Sequence, residues 1–227
     1  LIAHYETTPK EPLNAEIGLA VLHLLNTTTT LRGTISAYLS MLGRKPLALD
    51  ILYVRADTPL TDLTFPRIHA NLNMQAYDTL QTRLQLLSDA DYRANSGLCF
   101  RSIHGTLNHI YMSDLIWYER LHGIDPSRFD PYWVRPDEEM YASTDSEGID
   151  WEEYISDRAK LDSLTREQQR KWIEYMESVE EAENAYEKGV GRIWLHVINH
   201  AFHHRGQIEA VLNRMVLSDG LLGESKQ

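Results

Sequence analysis

Residues 193–215 repeat apolar side chains at a helical period, and this stripe most narrows what the chain can fold into. At 100° per residue, Ile193, Val197, His200, His204, Ile208, Val211 and Met215 fall within an arc of roughly 80°. A stripe of that width is the core-facing side of an amphipathic helix. Two histidines stand in its middle, flanked by Ile and Val one turn away on either side. The stretch 196-HVINHAFHHRGQ-207 holds two more, His196 and His203, which lie roughly 80–100° round from the stripe's centre on a flank expected to be partly wet.

A histidine inside an apolar stripe is costly unless its ring nitrogens find partners. For a lone histidine, a core carbonyl or carboxylate is the ordinary partner. A pair at i, i+4 projects side by side, so His200 and His204 can offer two nitrogens to one ion. Two imidazoles alone make a poor site, and the segment 102-SIHGTLNHIYMSDLIWYERLHG-123 offers candidates for a third ligand. Its apolar stripe is Ile103, Leu107, Ile110, Trp117 and Leu121, with Asp114 inside it and His109 on a flank. His104 is roughly 140° from His109, so both cannot serve one centre. Periodicity leaves His104, His109 and Asp114 as alternatives.

The other long patterns are also helical. Helices are expected over about 15–43, 67–88, 101–122, 151–179 and 190–215, bounded by Gly and Pro signals. The run 47-LALDILYV-54 reads as a strand or a packed extended segment, and 55-RADTPLTDLTFPR-67 as a linker. The proline-rich, acidic 123–150 reads as a long connection. Four helices from 67 onward, one reached by a crossing loop, imply an all-α, four-helix bundle.

The residues 71-NLNMQAYDTLQTRLQLLSDADYRAN-95, SIHGTLNHI running into 114-DLIWYERLHG-123, and 196-HVINHAFHHRGQIEAVL-212 resemble the DinB/YfiT-like family of metal-binding four-helix bundles. The combination of LNH on one helix with NHxxHHRGQ on the last carries the specificity. The resemblance covers nearly all of 67–215. It implies a three-histidine centre on His109, His200 and His204, holding zinc, nickel or a similar divalent metal ion, with positions open to water or substrate. It also implies two reaction types: transfer of a small thiol to an electrophile, and metal-dependent hydrolysis.

The beginning of the chain carries a second copy of the last helix. Gly18, His23, Asn26, Arg32, Gly33, Ile35, Ala37 and Leu39 recur at one fixed spacing as Gly191, His196, Asn199, Arg205, Gly206, Ile208, Ala210 and Leu212. The stripe persists as Ala20, Leu24, Thr27, Leu31, Ile35, Tyr38 and Leu42. At the ligand positions, Thr27 replaces His200 and Leu31 replaces His204. The copy keeps the packing face and discards the metal chemistry. The chain is therefore read as a degenerate repeat of the last helix with its tail (1–60) and a DinB-like bundle (61–227). The copy is read either as the remnant of a degenerate upstream bundle or as a helix kept to cover this domain or pair with a second chain. Either way an amphipathic helix must bury its apolar face, so docking of that stripe against the bundle or across a homodimer is expected.

The charge narrows the partners. The 227-residue chain is acidic, at net −11, and such a surface repels phosphate backbones, so no nucleic-acid partner is expected. Its single cysteine, Cys99, fits a reducing, cytoplasmic setting. No run of 18 or more apolar residues is present, so no membrane span is expected. A three-histidine site is a catalytic rather than a structural pattern, since structural zinc prefers four protein ligands. The reading is a metal-dependent S-transferase or hydrolase acting on a small-molecule substrate, with a low-molecular-weight thiol as co-substrate. The alternative is a non-catalytic, stress-related metal- or ligand-binding bundle that assembles through its N-terminal helix. HExxH is absent, and Asp114, Glu119 and Tyr111 receive no catalytic role.

Overall fold

The computed structural model describes residues 2–6, 12–43, 64–133, 154–179 and 189–218. A short hairpin opens the chain, β1 (Ile2–Glu6) pairing antiparallel with β2 (Pro12–Glu16). Helix α1 (Ile17–Met41) follows directly. The bundle is built from α2 (Thr64–Leu84), α4 (Ile103–Leu121), α6 (Arg158–Ser178) and α7 (Val190–Ser218). Between them lie the short helices α3 (Asp89–Arg93) and α5 (Asp130–Trp133). Within this set each helix touches two of the other three, α2 against α6 and α7, and α4 against α6 and α7, so the four close round a common interior. The expected all-α bundle is the fold, preceded by a hairpin that the periodicity did not signal.

The helix limits have local causes. Ser102 caps α4, its side chain accepting from the Gly105 N–H at 3.0 Å, and Asp157 caps α6 by accepting from the Lys160 N–H. These contacts satisfy backbone donors that a helix start leaves unpaired. Helix α2 begins at Thr64, earlier than expected, because Pro66 falls in its first turn, where a missing N–H costs nothing. Helix α6 begins at Arg158, later than expected. Asn108 accounts for part of that delay. Its side chain accepts from the Ile155 N–H at 3.1 Å and donates to the Ile155 carbonyl at 3.2 Å, holding the preceding turn against α4. The segment 47–54 and most of 123–150 lie outside the described residues.

Two apolar clusters fill the bundle. One joins Tyr77, Leu80, Leu84, Ile103, Leu107, Ile110, Leu161, Ile208 and Val211. The other is built on Trp172, Trp194, Val197 and Ile198. The expected α7 stripe thus faces inward, with Val197, Ile208 and Val211 fully buried.

Helix α1 docks on α7, but not by its apolar stripe. Among its described side chains the buried ones are Thr29, Gly33, Ser36 and Ala37, a face of small residues. Leu24, Leu31, Ile35, Tyr38 and Leu42 point to solvent instead. The expectation that the stripe would be buried against the bundle is therefore corrected. The reason is close approach. A Cβ on Gly33 would lie 1.8 Å from the His203 carbonyl oxygen, and one on Gly206 would lie 2.1 Å from that of Thr30. Glycine lets the backbones meet here, and hydroxyls complete the contact: Thr34 donates to the Gly206 carbonyl at 3.0 Å and Thr29 to Asn199 Oδ1 at 3.0 Å.

Candidate metal centre

Helices α4 and α7 bring His109, His200 and His204 together. His200 and His204 project side by side from successive turns of α7, as their spacing requires. His109 meets them from α4, its Nε2 lying 2.9 Å from His200 Nε2. One ligand nitrogen from each ring lies within 4.8 Å of the others, so the three form a group that could hold a metal ion. Ring centroids are 4.8 Å apart for His109 and His200, 4.6 Å for His109 and His204, and 4.4 Å for His200 and His204.

The surroundings favour neutral imidazoles whose ring nitrogens face one another. Burial, reinforced by the neighbouring histidines, holds His109 and His200 well below the usual histidine range. Burial likewise lowers His204 to about 3. Gln207 Oε1 lies 2.7 Å from His204 Nδ1. A carboxamide oxygen can only accept, so Nδ1 carries the proton and Nε2 keeps its lone pair. The Gln207 amide nitrogen donates to Ser36 Oγ on α1 at 3.1 Å. Phe100 stacks on His109 with centroids 3.7 Å apart and meets His204 edge-on at 5.4 Å, closing that side of the group. His109 and His204 are buried and His200 is part-buried.

The donor set suits a divalent ion. Nitrogen ligands bind zinc at about 2.0–2.1 Å, which sets two tetrahedral ligands roughly 3.3 Å apart. The 2.9 Å approach of His109 and His200 needs to open by only a few tenths of an ångström. Three neutral imidazoles with no fourth protein ligand among the described residues match an open rather than a closed site.

The rival third ligands stand elsewhere. His104 is buried on another side of α4, accepting from Asn108 Nδ2 at 3.3 Å and packing on Tyr92. Asp114 is fully buried away from the three rings; burial pushes its carboxyl up to about 8, against the opposing pull of the Arg205 guanidinium. Of the flanking pair, His196 is buried edge-on against Trp117 at 5.0 Å, drier than expected. His203 sits part-buried where α1 crosses, lowered to about 4 by burial and by Arg32. Glu119 is tied to Arg128 in an ion pair, and Tyr111 packs beside Tyr154. Burial pushes the Cys99 thiol up, and its Sγ lies 3.3 Å from Ser40 Oγ, as suits a structural cysteine.

Gln207 and Phe100 escape a reading of periodicity. Gln207 lies one turn beyond His204, a position from which an amide can reach an imidazole, and that spacing was the available signal. Nothing local marks Phe100, which reaches His109 from the turn before α4.

The family model described as DinB family matches residues 68–215, spanning α2 to α7 and all three histidines. No curated protein matches the chain, and no solved structure does. No helix among the described residues is long and apolar enough to cross a membrane. On the match across the whole bundle, the chain belongs to the DinB family.

Proposed function

We propose that this protein is a metal-dependent enzyme that holds one divalent ion, zinc or nickel, on His109, His200 and His204. Its favoured reaction is transfer of a small thiol to an electrophile, with hydrolysis of a small substrate as the alternative. The observation that carries the reading is the convergence of three buried or part-buried imidazoles, kept neutral by their surroundings. When bound, such an ion stabilises thiolate or hydroxide near neutral pH and polarises a substrate oxygen.

The chain's own residues supply the setting. Gln207 fixes the His204 tautomer, so that its Nε2 faces the shared centre. Phe100 and the apolar neighbours of α7 exclude water behind His109, which strengthens every electrostatic interaction in front of it. No carboxylate is asked to act as base: Glu119 is tied to Arg128, and Asp114 is buried with its carboxyl pushed up to about 8.

The test combines metal removal with a conjugation screen. Protein purified without added metal is assayed with a generic electrophile and several low-molecular-weight thiols, before and after chelation. The expected result is a rate lost on chelation and restored by zinc or nickel. A rate indifferent to metal removal contradicts the enzyme reading. Bound metal without any turnover favours a non-catalytic metal-binding bundle.

A further inference from the structure

Helices α1 and α7 pair as though they were two copies of one helix in a symmetric dimer. They begin at Ile17 and Val190, which hold equivalent positions in the repeat. They run parallel and in register, Thr29 contacting Asn199 and Met41 contacting Arg214. The close contacts are reciprocal. Gly33 packs on the His203 backbone while Gly206, the repeat of Gly33, packs on the backbone of Thr30, the repeat of His203. Contact of i with j matched by j with i is the signature of a two-fold interface. Here the quasi-two-fold axis runs between the helices, within one chain.

That symmetry fixes what the other side of α1 is shaped for. Rotation about the axis carries the α7 stripe onto the α1 stripe and turns it to face the opposite way. His204 is 2% exposed and its counterpart Leu31 is 57% exposed, while Ile208 is fully buried and Ile35 is 60% exposed. Of eight exposed large apolar residues among those described, six stand on α1 and its C-terminal turn. What covers the α7 stripe is the three-helix set α2, α4 and α6. Arg205 of α7 donates to Asn73 of that set at 2.7 Å. Its repeat, Arg32, is exposed on α1.

We propose that the outer face of α1 seats a second three-helix set of the bundle's own plan. The occupant presents an apolar stripe to Leu24, Leu31, Ile35, Tyr38 and Leu42, and an amide or carboxylate to Arg32. Helices α1 and α7 then form the shared spine of a quasi-symmetric double bundle. The half on α1 lacks the metal ligands, since Thr27 and Leu31 stand at those positions. The inference rests on the repeat and the reciprocal glycine contacts, and it holds whether or not the histidine site is catalytic.

The test uses a tandem chain in which a copy of residues 61–189 replaces residues 1–16, so that the copied set leads into Ile17 as the original leads into Val190. The unaltered chain is measured beside it. The unaltered chain is expected to be monomeric and to bind a hydrophobic dye, and Leu31→Glu with Ile35→Glu is expected to abolish that binding. The tandem chain is expected to stay monomeric, to lose dye binding, and to protect the added set from protease as well as the original set. Leu31→Glu with Ile35→Glu in the tandem removes that protection. Introducing Thr27→His and Leu31→His into the tandem raises bound divalent metal from one ion per chain to two. Rapid digestion of the added set with undiminished dye binding overturns the proposal. So does an unaltered chain that is a stable dimer separated by Leu31→Glu, which assigns the stripe to a second copy.

Discussion

Gln207 holds His204 by its Nδ1 edge, amide oxygen to ring nitrogen at 2.7 Å. The same amide donates to Ser36 of α1, so the orientation of one candidate ligand is tied to the docking of the N-terminal helix. Partners of this kind fix a ligand's tautomer, and their loss typically costs 10–100-fold in metal affinity. Gln207→Leu is therefore expected to weaken divalent metal binding by about 10-fold or more, with the fold intact by circular dichroism. Ser36→Ala, one contact further away, is expected to have a smaller effect of the same sign. Competition titration against a metal-binding dye measures both, and unchanged affinity in Gln207→Leu contradicts this role.

The crossing of α1 and α7 depends on two glycines. Gly33→Ala places a methyl 1.8 Å from the His203 carbonyl oxygen. Alanine favours a helix over glycine by about 1 kcal/mol, yet forcing atoms into a close-packed contact typically costs about 1–3 kcal/mol. Since the obstacle is backbone, the contact wins, and Gly33→Ala is expected to lower the urea midpoint and expose α1 to protease. Gly206→Ala should do the same. Because either methyl separates the same pair of helices, the double substitution is expected to cost less than the sum. Additive effects would show that the two contacts are independent.

Buried histidines set the acid limit of stability. Burial, with Arg205 nearby, lowers His69 from 6.5 to about 4. Between those values the unfolded chain binds a proton that the folded chain does not. Stability is therefore present in full above pH 6.5 and lost as pH falls toward 4, by roughly 1.4 kcal/mol per pH unit from this group. His203, also lowered to about 4, acts in the same direction. Urea unfolding of His69→Gln beside the unsubstituted protein, each measured from pH 7.5 down to 4.5, is expected to show a shallower fall in the variant. Parallel curves would contradict the assignment.

Arg101 is the one described non-glycine residue with positive φ, at 68°, immediately before the Ser102 cap of α4. The left-handed region costs an L-residue roughly 1–2 kcal/mol, and glycine largely escapes that cost. Arg101→Gly is expected to raise unfolding stability by up to about 1 kcal/mol while leaving the Phe100–His109 stack in place. A lower melting temperature would indicate that the arginine side chain contributes more than its backbone costs.

Periodicity made the bundle and the His200–His204 pair legible, because a stripe facing a core must repeat at the helical period. The choice among His104, His109 and Asp114 was not legible that way. Each occupies a plausible angle on α4, and only the rotation of α4 against α7 decides which reaches the pair. The resemblance to the family named His109, and His109 is the residue that meets the other two. The repeat was legible as identities, but its docking was not. An apolar stripe signals burial without saying by what, and here a row of Thr, Gly, Ser and Ala makes the contact instead. Gly33 and Gly206 were visible as repeated residues. Their meaning as a crossing point emerged only from the backbone approach.

Metal content per chain reads the three-histidine centre itself. Elemental analysis of the protein purified without added metal, beside His109→Ala, His200→Ala, His204→Ala and the buried outlier His104→Ala, reads the site without reference to any substrate. One divalent ion per chain is expected in the unsubstituted protein and in His104→Ala, and none in the other three. An ion retained when His109 or His200 is removed, or no ion in the unsubstituted protein even after incubation with zinc or nickel, contradicts that centre.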